Sequence, residues 1–384
     1  MTKVLIVGGG IAGLSAAWAL SRGGCSVEIF EQGPLPNPRA SSYDEHRILR
    51  HAYGDMEGYA RLMPHAFATW EALWRDLGVR HYDPCGAVYF ARNETPWYAA
   101  SQRSLEAHGL GFRDIPIDEA LRRFPMVRPE GLVRVVETDG AGMLFPIRIL
   151  TDLVMKLAAM GVILHANAEV LEIEPDQPSA LVGGTRHGAD AIVIAAGAWA
   201  DRLLPSLHAV ARPSRQALLF LAPPPPLADA WAVAPILVDD RAERGCYTLP
   251  PRRGTRLKIG DDVFTLRGDV DADRTATAED VERLTRVAAL AYRDFESYAV
   301  LERKACYYTV TEDEKFIVRP VGAAAWVVSA CSGHGFKFGP LMGEIAASAV
   351  MGKRSAEDTA RLAAGDLALP LDAPSPPEGG LASR

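Results

Sequence analysis

A few short groups of residues have the types and spacing that chemistry needs. Gly8-Gly9-Gly10-Ile11-Ala12-Gly13 is a GxGxxG run. Its first glycine permits a tight turn, its second lets backbone approach a pyrophosphate, and its third lets a helix lie close on a strand. Glu31 follows Gly13 by 18 residues. A carboxylate there accepts ribose hydroxyls and repels a 2′-phosphate. Arg47 and Arg50 are three residues apart and share a face if they lie on a helical turn. Lys258 sits in Arg256-Leu257-Lys258-Ile259-Gly260, and Cys306 in Ala305-Cys306-Tyr307-Tyr308-Thr309. Gly333-His334-Gly335-Phe336-Lys337 puts glycines and a lysine just ahead of a helix, where N–H groups favour anions. Each group also has a plain reading. The arginines would form a solvated basic face, Lys258 would belong to a sheet edge, Lys337 would lie on the surface, and Cys306 would be an ordinary buried thiol.

The elements that must position these residues are legible in outline. Lys3–Val7 reads as a β-branched strand, Ile11–Leu20 as a helix stopped by Gly23-Gly24, and Val27–Glu31 as a second strand. That βαβ unit implies a parallel sheet. Leu150, Leu153, Val154 and Leu157 fall at helical spacing, with Pro146 near the start and Gly161 beyond the end. Ala191–Ala195 and Ala325–Ala330 read as apolar strands, with a helix from about Pro340. Thr277 and Asp280 suggest a capping box. Gly86–Ala91 and Gln216–Leu221 read as antiparallel strands of another layer. Ala222–Leu227, with four consecutive prolines, reads as a loop barred from helix and central strand. The expected fold class is α/β (α+β overall): a nucleotide-binding domain built from distant segments, with a second domain inserted on a mixed or antiparallel sheet.

Composition removes several classes. The chain has 384 residues, 48% hydrophobic and 23% charged, which excludes wholesale disorder. Lys plus Arg total 41 against 48 Asp plus Glu, a net charge of −7, the wrong sign for a nucleic-acid binder. No membrane span or clean signal peptide is read. Five scattered cysteines without a CxxC pair suggest neither a disulfide framework nor a metal site, so a cytoplasmic location is expected. Only one dinucleotide fingerprint is present, so its ligand is NAD or FAD.

Three further segments decide between these. Arg47–Gly54 (RILRHAYG), Ala305–Glu314 (ACYYTVTEDE) and Cys331–Phe338 (CSGHGFKF), with the opening fingerprint, resemble the FAD-dependent amine oxidases of the D-amino-acid-oxidase superfamily. Within it, the monomeric sarcosine oxidase and N-methyltryptophan oxidase group is nearest. The resemblance runs from Lys3 to about Gly352. It implies a Rossmann-type FAD domain over 1–80, 146–213 and 305–365. A substrate domain follows over 81–145 and 214–304, and a disordered tail over 366–384.

The resemblance also implies roles. Gly8, Gly10, Ile11, Ala12, Gly13, Glu31, Ser41, Arg47, Val170, Gly197, Gly333, Gly335, Phe336 and Lys337 contact FAD. Cys306 bonds covalently to the flavin. Arg50 and Lys337 clamp a substrate carboxylate, Lys258 activates O2, and Tyr247 and Tyr308 line the pocket. The expected partners are a small carboxylate-bearing amine and O2, with no nucleic acid or membrane. Oligomeric state stays open, with a monomer compatible. The implied reaction is C–N oxidation to an imine with release of H2O2. Passing electrons to another acceptor, or non-catalytic FAD binding, are the alternatives. Two departures fall where substrate would sit: Asp262 stands in place of the family's histidine, and Ser41-Ser42-Tyr43 replaces its paired histidines.

Overall fold

In the computed structural model, residues 1–242, 245–329 and 331–366 are described. Apart from Asp366, which accepts a bond from Lys315 Nζ at 2.7 Å, the tail expected over 366–384 lies outside them.

Two sheets organise the chain. The six-stranded sheet runs Ile317–Pro320, Ala325–Ser329, Ala191–Ile194, Lys3–Val7, Ser26–Phe30, Ile163–His165. All its neighbours are parallel except the first pair. Val4, Leu5, Ile6 and Ile192–Ile194 are fully buried, as central parallel strands covered on both faces require. The helices Ile11–Arg22 and Gly339–Val350 pack together, and Pro146–Ala159 packs on the first of them. The eight-stranded sheet runs Ala299–Val310, Arg212–Ala222, Leu257–Gly260, Cys246–Leu249, Ile236–Asp240, Ala87–Ala91, Arg134–Thr138, Phe112–Asp114. Only Ile236–Asp240 beside Ala87–Ala91 is parallel, so this sheet is mixed. Smaller sheets join Arg47–Arg50 to Ala141–Leu144 and Tyr82–Asp83, and Val170–Glu174 to Ser179–Val182 and Thr185–Gly188. Among the described residues no helix is long and apolar enough to cross a membrane.

Most expected elements form within a residue or two of their expected ends. Thr277 caps Ala278–Ala291 by accepting the Asp280 N–H at 3.2 Å. Two expectations need correction. The proline run does enter a helix: Pro225–Val233 begins inside it, because a first-turn residue has no intrahelical N–H bond to lose. Arg47 and Arg50 lie on an extended strand, not a helical turn, since Arg47–Arg50 pairs with Ala141–Leu144 across four residues. The expected seam between 304 and 305 falls inside the strand Ala299–Val310, which belongs wholly to the eight-stranded sheet.

Candidate active site

One cavity of about 690 Å³ runs from the glycine turn to the eight-stranded sheet. At its first end Gly8, Gly10, Ile11 and Ala12 line the wall, where strand Lys3–Val7 feeds helix Ile11–Arg22. Gly8 has φ +108°, and a Cβ there would lie 2.4 Å from the Ala195 carbonyl oxygen. A Cβ on Gly13 would lie 1.9 Å from the Gly8 oxygen. Gly13 therefore serves close packing and does not border the cavity. The helix's N-cap residue, Gly10, has no side chain to cap it, and the first turn holds no acid, leaving that end electropositive for a phosphate.

Glu31 is 6% exposed and ends the second strand, bordering the cavity. Its Oε2 accepts the Gly9 N–H at 2.7 Å, and Oε1 accepts Gly33 N–H at 3.0 Å and Asn37 Nδ2 at 2.8 Å. It thus ties the glycine turn to the next loop while one of its four lone-pair positions stays open. Ser42 Oγ accepts the Ile11 N–H at 3.0 Å, and Ser41 donates to the Tyr307 carbonyl. Val170 and Gly197 border the same end.

At the other end, two cations meet. Arg50 donates to the Tyr89 hydroxyl at 3.0 Å and lies 5.9 Å from the Tyr89 and Trp97 ring centroids. Its Nε is buried without a partner. Lys337 is 7% exposed, with Nζ 4.9 Å from the Tyr53 ring centroid. Neither forms an ion pair among the described residues. Burial, with Arg50 beside it, holds the Lys337 ammonium well below its ordinary pKa. His334, which bridges Tyr53 Oη and the Glu314 carbonyl at 3.0 Å each, stays neutral, pushed down to about 3 by burial and the Lys337 charge. Opposite charge gathers on other parts of the wall: Asp55, Asp262 and Glu314 border the cavity. Asp262 is open on the cavity side, but the surrounding walls desolvate it and raise its pKa, helped by Asp261 and Asp240. Glu314 is raised by burial, then by Asp262 and Asp55.

Lys258 projects from Leu257–Gly260, fully buried, and still borders the cavity. Its Nζ donates to Asp44 Oδ2 at 2.9 Å and to the His46 carbonyl at 2.5 Å. Arg47 Nη1 lies 2.5 Å from the same Asp44 oxygen, and its Nη2 donates to the Ser41 carbonyl at 2.8 Å. Burial works to raise the Asp44 carboxyl, but Arg47 and Lys258 outweigh it and hold it well below its usual range.

Tyr247, Tyr308, Gly333, Gly335 and Phe336 also border the cavity, and burial keeps both tyrosines neutral. Cys306 does not border it. Cys306 packs with Leu218, Tyr308 and Val310, while Cys331 reaches the cavity wall. Burial raises the Cys306 thiol pKa, with Arg47 opposing. The sequence reading missed Asp44, Asn37, Ser42 and Glu314 as working residues. Asp44 carries no local signal: in Tyr43-Asp44-Glu45 it reads as a solvated acid, and only Lys258, 214 residues away, reveals it.

Comparison with known proteins bears on the family and the fold. The FAD dependent oxidoreductase family matches residues 3–349. N-methyl-L-tryptophan oxidase of Yersinia pestis (strain Pestoides F) is 26% identical over 362 residues, covering 92% of this chain and 96% of the relative. Among solved structures, NikD, described as an unusual amino acid oxidase essential for nikkomycin biosynthesis, aligns with TM-score 0.78 at 20% identity. That alignment covers 95% of this chain and 98% of NikD. Glycine oxidase from Geobacillus kaustophilus aligns at 0.76 and 23%, covering 93% and 96%. These two alignments speak to the fold. The family implies FAD, and the residues present fit it. The glycine cradle has no room for a side chain, the helix end carries no acid in its first turn, and Glu31 keeps an open acceptor position. With the fingerprint, the fold and the family match over nearly its whole length in agreement, this chain belongs to the FAD dependent oxidoreductase family.

Proposed function

We propose that the protein oxidises the C–N bond of an amino acid or N-alkyl amino acid to an imine, with O2 as acceptor and H2O2 as product. The observation carrying this reading is the pair Arg50 and Lys337, two cations on the cavity wall without an anionic partner among the described residues. A guanidinium fork with a free Nε and an adjacent ammonium suit one carboxylate and fix its orientation. That places the amine carbon by binding, the kind of positioning that lowers a barrier most cheaply. When bound, FAD would supply the two-electron redox chemistry between the substrate carbon and O2. The substrate amine reacts as its free base; loss of hydride from its carbon leaves an iminium, whose N–H proton is released to give the imine and balances the second proton of H2O2. Lys258 presents a fixed cation where charge develops on the acceptor. Asp55, Asp262 and Glu314 draw in the cationic form of an amine. The six-stranded sheet forms the cofactor half and the eight-stranded sheet the substrate half. Five free cysteines agree with a reducing, cytoplasmic setting.

Anaerobic mixing with a panel of primary and N-methyl amino acids tests this. At least one carboxylate-bearing amine should bleach the yellow colour, and its ester or decarboxylated analogue should not. Bleaching by none would end the reading. Stoichiometric peroxide under air would separate an oxidase from a dehydrogenase that uses another acceptor.

The same reading includes a thioether between Cys306 and the flavin. Tyr308, packed beside Cys306, borders the cavity, and Arg47 favours the thiolate. The bond forms with loss of the thiol proton and one methyl proton, and the two electrons released pass to O2. Acid precipitation should leave colour in the pellet, whereas Cys306→Ser should release it to the supernatant. Colour retained by Cys306→Ser would move the link to another residue, Cys331 and Cys246 being thiols on the cavity wall.

A further inference from the structure

The contact between Lys258 and Asp44 belongs to none of the motifs. An ammonium has three donors. Two are committed, to Asp44 Oδ2 and the His46 carbonyl, so Nζ is held from one side while the residue borders the cavity on the other. Asp44 itself is 1% exposed and does not border the cavity. Its Oδ1 accepts the Glu45 N–H at 2.8 Å, and its Oδ2 is shared between Lys258 and Arg47.

The other groups around this pair set no free carboxylate against it. From the loop and strand carrying Asp44 come Glu45, whose carboxylate is taken up by Arg256 at 2.6 Å, His46 and the Arg47 cation. His46 is kept neutral at about 3 by burial and the Lys258 charge. From Ala299–Val310 come Cys306 and Tyr308, their pKa values raised by burial, and Lys304, which donates to the Tyr43 carbonyl at 3.0 Å. From Cys246–Leu249 comes Tyr247, also raised by burial. Among these described groups Asp44 alone sets its carboxylate against Lys258.

We propose that Asp44 is a positioning residue for the electron-acceptor half of the reaction, holding the Lys258 ammonium charged and aimed into the cavity without touching the cavity itself. This rests on the role given to Lys258 above. A dry site disfavours a lone ammonium, and a neighbouring guanidinium disfavours it further. Burial and Arg47 bring Lys258 down to about 8, with Asp44 opposing both. Below that value the lysine is charged, and above it the free amine takes over. Without the Asp44 carboxylate, burial and Arg47 act against no full negative charge, and the changeover moves to lower pH. The Arg47–Asp44–Lys258 group carries net positive charge while complete, so the acceptor still meets a cation.

The test compares wild type, Asp44→Asn, Asp44→Glu and Lys258→Met, each reduced anaerobically and mixed with oxygenated buffer between pH 6 and 9. Wild-type reoxidation should slow as pH rises through about 8. In Asp44→Asn the midpoint should move at least about one unit acidward, making reoxidation near pH 7.5 about threefold slower or more. Asp44→Glu should recover most of the wild-type profile, and in a Lys258→Met background Asp44→Asn should add nothing. Nitrogen NMR of labelled lysine, assigned by loss of one signal in Lys258→Met, reads the same titration in the oxidised protein without turnover. It needs no Asp44 variant should Asp44→Asn fail to fold: a Lys258 signal already neutral at pH 7 would overturn the proposal. An unchanged Asp44→Asn profile beside a slow Lys258→Met would overturn this inference alone. Wild-type reoxidation in Lys258→Met would overturn the reading of Lys258 and this inference with it.

Discussion

Arg50→Met should lower kcat/KM for the carboxylate-bearing amine by about two to three orders of magnitude, since truncating one member of a desolvated charge contact costs about 2–5 kcal/mol. The guanidinium has the geometry for that size of effect. Its Nη1 is anchored on Tyr89, it lies against the Tyr89 and Trp97 rings, and its Nε is left unpaired in a buried position. An anion that fills this gap gains a bond the protein has already oriented. Arg50→Lys should recover only part of the loss, because an ammonium on a flexible stem lacks the planar fork. The variant should also change Lys337. Burial is the main reason its ammonium is disfavoured, and Arg50 is the next. Removing Arg50 relieves that repulsion, so Lys337 stays protonated to higher pH. The pH at which substrate affinity falls on the alkaline side should therefore rise in Arg50→Met while affinity itself drops. Rapid-mixing reduction across pH separates the two. Affinity and its pH profile both unchanged would remove Arg50 from the carboxylate site.

Gly13→Ala should yield protein that fails to retain FAD. The added Cβ would stand 1.9 Å from the Gly8 carbonyl oxygen, which is backbone and has no rotamer to yield. Strand and helix would have to separate just where Gly8, itself at φ +108°, closes on Ala195. The electropositive helix end then shifts away from the phosphates it must meet. Gly24→Ala is the matched comparison. Unlike Gly13 it has positive φ, +83°, but nothing lies within 4 Å of the added atom, so only local strain results. It should stay yellow. Absorbance of the purified protein gives the first readout. Melting with and without added FAD gives the second: a ligand at about 100 times its Kd stabilises a protein by about 2.7 kcal/mol, and that gain should vanish in Gly13→Ala. A stoichiometrically yellow Gly13→Ala would show that the turn tolerates what its geometry forbids.

Local residue order alone determined the βαβ opening, the glycine cradle with Glu31, most strand and helix positions, and the motifs that mark an FAD-dependent oxidoreductase. Such features depend on neighbours within a few residues, where periodicity, β-branching and glycine placement act directly. Reading went wrong where partners lay far off. Arg47 and Arg50 took an extended form because Ala141–Leu144 was there to pair with them. The proline run opened a helix because its first turn needs no N–H bonds. Tertiary structure alone decided that Arg50 and Lys337 meet, that Glu31 also fastens its own loop, that Cys331 reaches the cavity while Cys306 packs behind it, and that Asp44 is a counter-ion instead of a surface acid. Each of these turns on burial and charge pairing between residues distant in the chain. Desolvation makes such pairs matter, and only folding creates it.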